Sequence, residues 1–158
     1  MYTDIWELIS LYSERPKDHA PVADEIYSNL VAEHEKVYIR SQIHELEGYV
    51  NLYWHEEGKQ CFVLFVPDKK LKTTGSNFMS KPLTKVCECN YNWYKLYLNI
   101  IAYISGGPVA SLRLVRVGWN NKVVEVEYRP ELMQILIKDY ELKKISNPDK
   151  KNYYQSLF

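Results

Sequence analysis

Tyr49-Val50-Asn51-Leu52-Tyr53-Trp54-His55, Glu56-Glu57-Gly58-Lys59 and Gln60-Cys61-Phe62-Val63-Leu64-Phe65-Val66 follow one another without a break, and this stretch decides the fold. Two β-type runs flank a short link in which Gly58 permits a positive φ, which is the pattern of a hairpin. Cys61 to Val66 is apolar at every position, so the second run is expected to be a central strand covered on both faces. Pro67-Asp68 ends it.

Downstream, residues 69–87 carry Lys69, Lys70, Lys72, Lys81 and Lys85 with no acidic residue between Asp68 and Glu88. Thr73-Thr74-Gly75-Ser76-Asn77 reads as an exposed loop within this basic segment. Tyr91 to Ile104 reads as a helix whose polar residues, Asn92, Lys95 and Asn99, fall in one narrow stripe. Such a helix is buried with one wet edge, and Gly106-Gly107-Pro108 ends it.

A second hairpin follows. A two-residue Asn120-Asn121 turn sets Val117 opposite Val124, Val115 opposite Val126 and Arg113 opposite Tyr128. The other face then pairs Arg116 with Glu125 and Leu114 with Glu127. Pro130 opens a last helix with a Met133, Leu136, Ile137, Tyr140 stripe, and Lys143 and Lys144 suit its C-terminal end.

Upstream, Asp4 caps a helix with Ile5, Leu8, Ile9 and Tyr12 at helical spacing, stopped by Arg15-Pro16. A second helix is expected from Pro21, with Val22, Ala23, Ile26 and Leu30 on its apolar face and a boundary near His34 to Lys36. Residues 37–47 fit either a strand or a helix, and Val37-Tyr38-Ile39 favours the strand.

The expected fold is α+β, a single domain with a largely antiparallel sheet of about 4–5 strands. Two hairpins (about 47–66 and 109–129) build the sheet, and about four helices pack on it. Residues 1–146 are read as the compact domain and 147–158 as a loosely ordered C-terminal tail.

The 158 residues are 46% hydrophobic and 25% charged, enough to bury a core without staples. Cys61, Cys87 and Cys89 cannot all pair, and one intervening residue is poor disulfide geometry in regular structure. Reduced thiols and a cytoplasmic location are therefore expected, as is the absence of a secretion signal from Met1-Tyr2-Thr3-Asp4. No membrane span is expected, because the apolar run at 91–104 is short and carries Lys95.

The net charge of zero is unevenly spread: residues 1–57 hold 12 acidic and 4 basic side chains, and residues 58–158 hold 8 and 16. Segments of opposite sign attract on folding, or else mark partner surfaces.

The residues point to no catalytic group. Cys87-Glu88-Cys89 lacks the gap of a zinc knuckle, so no metal is expected, and no phosphate loop calls for a cofactor. Glu125 and Glu127 share a strand face as in some nucleases, but the expected register gives Glu125 an arginine. Charge segregation and the 14 tyrosines and four tryptophans favour a non-enzymatic protein-binding module. Such a module suits a small inhibitor or accessory factor, for instance one encoded by a phage or mobile element against a nucleic-acid enzyme. Its partner surface is expected at Glu33, Glu35, Glu56 and Glu57. Lys69, Lys70, Lys72, Phe78 and Lys81 form the basic candidate, for a protein or, as the alternative, for nucleic acid. A further alternative is an enzyme with scattered site residues. Trp6, Tyr53, Trp54 and Trp119 are the aromatics expected to be exposed.

Overall fold

The structure is a computed structural model that describes residues 1–13, 21, 24–69, 71–73, 75, 77–118 and 120–146. The expectations for Arg15, Pro16, Val22, Ala23, Lys70, Thr74, Ser76, Trp119 and the 147–158 tail lie outside these residues. In chain order the elements are β1 (Thr3–Asp4), α1 (Ile5–Ser10), α2 (Glu25–Glu33), β2 (Val37–Ser41), β3 (Leu46–Val50) and β4 (Leu52–Glu56). There follow β5 (Lys59–Pro67), α3 (Asn90–Ser105), β6 (Val109–Val117), β7 (Lys122–Val126) and α4 (Pro130–Ser146). Among the described residues, no helix is long and apolar enough to cross a membrane.

The fold is α+β; among the described residues there are four helices, and two hairpins form a four-stranded sheet in the order β4-β5-β6-β7. The strands of each hairpin are antiparallel, whereas β5 and β6 are parallel, with α3 in the crossover between them. A second, three-stranded sheet has the order β1-β3-β2. Residues 37–41 are a strand, as Val37-Tyr38-Ile39 suggested, and pair antiparallel with β3.

Tyr49 to His55 is not one strand. The chain changes sheets at Asn51, which is 6% exposed. Its Nδ2 donates to Glu35 O at 2.9 Å and its Oδ1 accepts from Phe65 N at 2.7 Å. A buried side chain that satisfies two backbone groups fixes the bend. The second hairpin also differs from its expected register. Arg113 lies opposite Glu125 and Leu114 opposite Val124, and Arg116 faces Lys122. A longer connection causes the slip: Gly118 N donates to Asn121 Oδ1 at 3.2 Å, and Asn121 has φ 43°. Arg113 Nε then reaches Glu125 Oε1 at 2.7 Å, and Arg116 Nε lies 2.7 Å from Asp68 Oδ1 instead.

Asp4 caps α1 by accepting from Trp6 N at 2.7 Å. Asp24 caps α2 in the same way through Ile26 N at 2.8 Å, so that helix begins after Asp24 and not at Pro21. Gly106 ends α3 at φ 78°, a left-handed conformation that glycine adopts without a Cβ clash.

Trp6 is buried, against expectation, and only 3% exposed. Its ring stacks on Tyr97 with centroids 4.3 Å apart and meets Tyr27 and Tyr94 edge-on. Tyr49 N donates to Tyr97 Oη at 2.7 Å, and the Tyr27 and Tyr49 hydroxyls bond each other. Sheet β1-β3-β2 approaches α3 at Gly48, where a Cβ would lie 2.7 Å from Ile101 Cδ1 and 2.8 Å from both Ile5 Cδ1 and Tyr97 Oη.

Two predictions follow from this packing. Gly48→Ala is expected to lower stability by about 1–3 kcal/mol, measured by urea unfolding, because the added methyl overpacks the contact. The second concerns alkaline pH. Burial raises the phenol of Tyr49 to about 12 and holds Tyr27, Tyr94 and Tyr97 above their ordinary range. Unfolded tyrosine ionises near 10. The stability these rings contribute is therefore complete below about pH 10 and declines as pH rises toward 12. Tyrosinate absorbance from the cluster is expected to appear together with loss of the near-ultraviolet dichroism, and ionisation that leaves the dichroism unchanged would contradict it.

Candidate functional site

The polar stripe of α3 does lie at an edge of the core, and it fastens backbone there. Asn99 is 5% exposed. Its Nδ2 donates to Lys95 O at 3.0 Å and Glu127 O at 3.1 Å, and its Oδ1 accepts from Arg129 N at 2.7 Å. The link from β7 to α4 is thereby clamped onto α3. One end of the basic segment is held by Asn92, whose Nδ2 donates to Cys87 O at 2.9 Å. A groove of about 120 Å³ lies between the two clamped links. Val86, Leu96, Leu132 and Met133 give it apolar walls, and Lys95, Arg129 and Glu127 give it charge. An adjoining hollow of about 350 Å³ runs over Pro82–Val86 and adds Lys85 and Glu131.

The basic 69–87 segment, whose middle at 73–77 was expected as an exposed loop, is pinned at several points. Lys72 N donates to Asn90 Oδ1 at 2.7 Å, and Tyr91 N donates to Lys72 O at 3.2 Å. Phe78 and Cys87 form an antiparallel bridge, Met79 N donates to Val86 O at 2.9 Å, and Met79 and Leu83 are buried. Gly75 runs so close to Glu88 that a Cβ would lie 2.1 Å from its carbonyl oxygen. Lys69, Lys72, Lys81 and Lys85 are exposed, as is Phe78 at 54%. The pinning sets Lys72 beside the start of α3 and Lys85 beside Arg129. Lys95, whose Nζ lies 5.0 Å from the Tyr91 ring centroid, and Arg129 join the basic segment on this side of the molecule. The sequence signal for Lys95 was its place in the polar stripe. Arg129 carried none beyond its position before Pro130.

The acidic candidates are exposed but fall in two places. Glu33 and Glu35 stand at the end of α2, where Asn51 holds Glu35 O. Glu56 and Glu57 form the β4–β5 turn. The length of β4 separates the two pairs, about 17 Å at the usual strand rise. Tyr53 packs against the core and Trp54 is half-buried.

A further feature escaped the sequence reading. Leu142 and Ile145 lie off the core stripe of α4 and are 57% and 76% exposed, near Ile43 at 89%. Beside them, His44 Nδ1 lies 2.8 Å from Glu141 Oε1, and Lys144 Nζ pairs with Glu45 Oε2 at 3.5 Å.

No protein-family model, curated protein or solved structure matches the chain.

Asn99→Leu keeps the branched heavy-atom shape but leaves Arg129 N and Glu127 O without their partner. A loss of about 2–3 kcal/mol is expected in denaturant titration, because each buried unsatisfied group carries its full desolvation cost.

Proposed function

We propose that the chain is a non-enzymatic protein-binding module whose interface is the basic groove between the 82–86 loop, the edge of α3 and the start of α4. The observation that supports this reading is the convergence of Lys85, Lys95 and Arg129, from three separate elements, around apolar walls. Apolar walls with a cationic rim fit an acidic segment of a partner protein that also carries apolar side chains. Glu127 and Glu131 share the rim, so the groove itself bears one net positive charge. That is modest for holding a polyanion by charge alone, and it gives the walls a share in binding. An inhibitor or accessory factor would use such a groove to occupy an acidic surface of its target.

Nucleic acid is the second reading. It is favoured by the exposed Phe78 ring in the same segment as the exposed Lys72, Lys81 and Lys85, since aromatic and cationic groups together stack bases and hold phosphates.

The two readings separate in one experiment. The protein is used as bait in source-cell lysate with and without nuclease, beside a Lys85→Glu/Lys95→Glu/Arg129→Glu variant and a Glu56→Lys/Glu57→Lys control. A protein partner that survives nuclease, is lost with the groove variant and is kept by the control is the expected result. With that partner purified, the groove variant is expected to bind at least about tenfold more weakly, equivalent to about 1.4 kcal/mol. Capture that is indifferent to the groove variant overturns the proposal. Capture abolished by nuclease transfers the surface to the nucleic-acid reading.

A further inference from the structure

Helix α4 is apolar on two opposite sides. At about 100° per residue, Met133, Leu136, Ile137 and Tyr140 fall on the side that enters the core. Ile135, Leu142 and Ile145 fall on the opposite side and are 55%, 57% and 76% exposed. Together with Lys138 they stand three, four and three residues apart, the a-d-a-d spacing of a coiled-coil seam. A helix apolar on two sides calls for two covering surfaces, and the core supplies one. The charge at the centre of the stripe indicates the other. Lys138 is exposed and has no ion-pair partner among the described residues, whereas Lys143 holds Asp139 at 3.2 Å and Lys144 holds Glu45 at 3.5 Å.

We propose that this outward stripe is the seam of a homodimer, in which α4 of two copies pair antiparallel about a two-fold axis. In that arrangement Ile135 faces Ile145 of the other copy, and Lys138 faces Leu142. The lysine stem covers the leucine while its ammonium reaches the edge of the seam. Glu141 flanks the seam on that edge, so each Lys138 comes beside Glu141 of the other copy. His44 Nδ1 lies against Glu141 Oε1, which leaves Oε2 for the lysine. Two lysines and two glutamates then cancel around the axis. A parallel pair sets Lys138 against Lys138 instead, and like charges facing within a seam repel. The stripe is thus complementary to itself in one direction only, and a two-fold interface requires such self-complementarity. Lys85, Lys95 and Arg129 lie outside the seam, so the inference stands whether or not the groove binds a protein.

From Ile135 to Ile145 the seam is about 16 Å long at the usual helical rise. A contact this short buries less than about 1,200 Å² in total, so half-dissociation is expected between about 10 µM and 1 mM. Sedimentation equilibrium of the full chain across that range is expected to show reversible exchange between monomer and dimer. Leu142→Glu is expected to weaken the dimer at least about tenfold while keeping the circular dichroism of the unaltered chain. Direction is read with Ile135→Cys and Ile145→Cys, oxidised separately and as a mixture beside the unaltered chain. The mixture is expected to cross-link, and Ile135→Cys alone to cross-link no more than the unaltered chain. A chain that stays monomeric throughout overturns the proposal without any variant and leaves the stripe to a different protein. A dimer that Leu142→Glu leaves at full strength also overturns it, as does Ile135→Cys that cross-links to itself as readily as to Ile145→Cys.

Discussion

The burial of α3 against strands of both sheets is the constraint on which the rest depends. Of its 16 residues, ten are buried, from Trp93 to Ile104. It meets β2 and β3 of the smaller sheet and β5 and β6 of the larger, as well as α1 and α4. A helix apolar on nearly all sides is stable only when covered on nearly all sides, and no single sheet face can do that. The division of the β-rich stretch at Asn51 follows from this need, because β3 must leave the plane of β4 to cover a second side of α3. Gly48 then admits the close approach, since any side chain there would meet Ile101, Ile5 and Tyr97.

Asparagine does the joining where the chain leaves regular structure. Asn51, Asn92 and Asn99 each bond backbone groups that have no ladder or helix partner. An amide side chain carries both donor and acceptor, so one buried Asn satisfies a carbonyl and an N–H together, as Asn51 and Asn99 do. The groove is a by-product of this joining. Asn92 holds the basic segment and Asn99 holds the link to α4, and the apolar wall between them stays uncovered.

The larger features were legible because each rests on local pattern. The apolar run Cys61–Val66, the narrow stripe of α3 and Pro130 before the last helix all specify their elements without reference to distant residues. The failures are long-range or geometric. Asn51 inside a β-rich run reads as one weak position until the second sheet is seen. The register of β6 and β7 slipped because Asn120-Asn121 favours a two-residue turn, whereas the actual turn extends from Gly118 to Asn121. Trp6 reads as exposed from its place near the end of an element, yet the tyrosines that bury it come from α2 and α3. The candidate groove was half legible: the lysines of 69–87 stood out by composition, but their meeting with Lys95 and Arg129 depends on clamps that no spacing reveals.

The charge segregation also takes a definite form in three dimensions. The acidic and basic segments meet at the C-terminal end of α4, where Lys144 reaches Glu45 and Glu141 reaches His44. Arg129 and the groove lie at the other end of that helix, about 22 Å away at the usual rise of an α-helix. The screening length at physiological salt is about 8 Å. Carboxylates that neutralise the far corner therefore do little to the field at the groove. Mutual attraction of the two segments explains the Lys144–Glu45 pair at one end of α4, whereas at the other end Arg129 Nε lies 3.9 Å from Glu127 Oε2 of its own segment and Lys85 stays exposed.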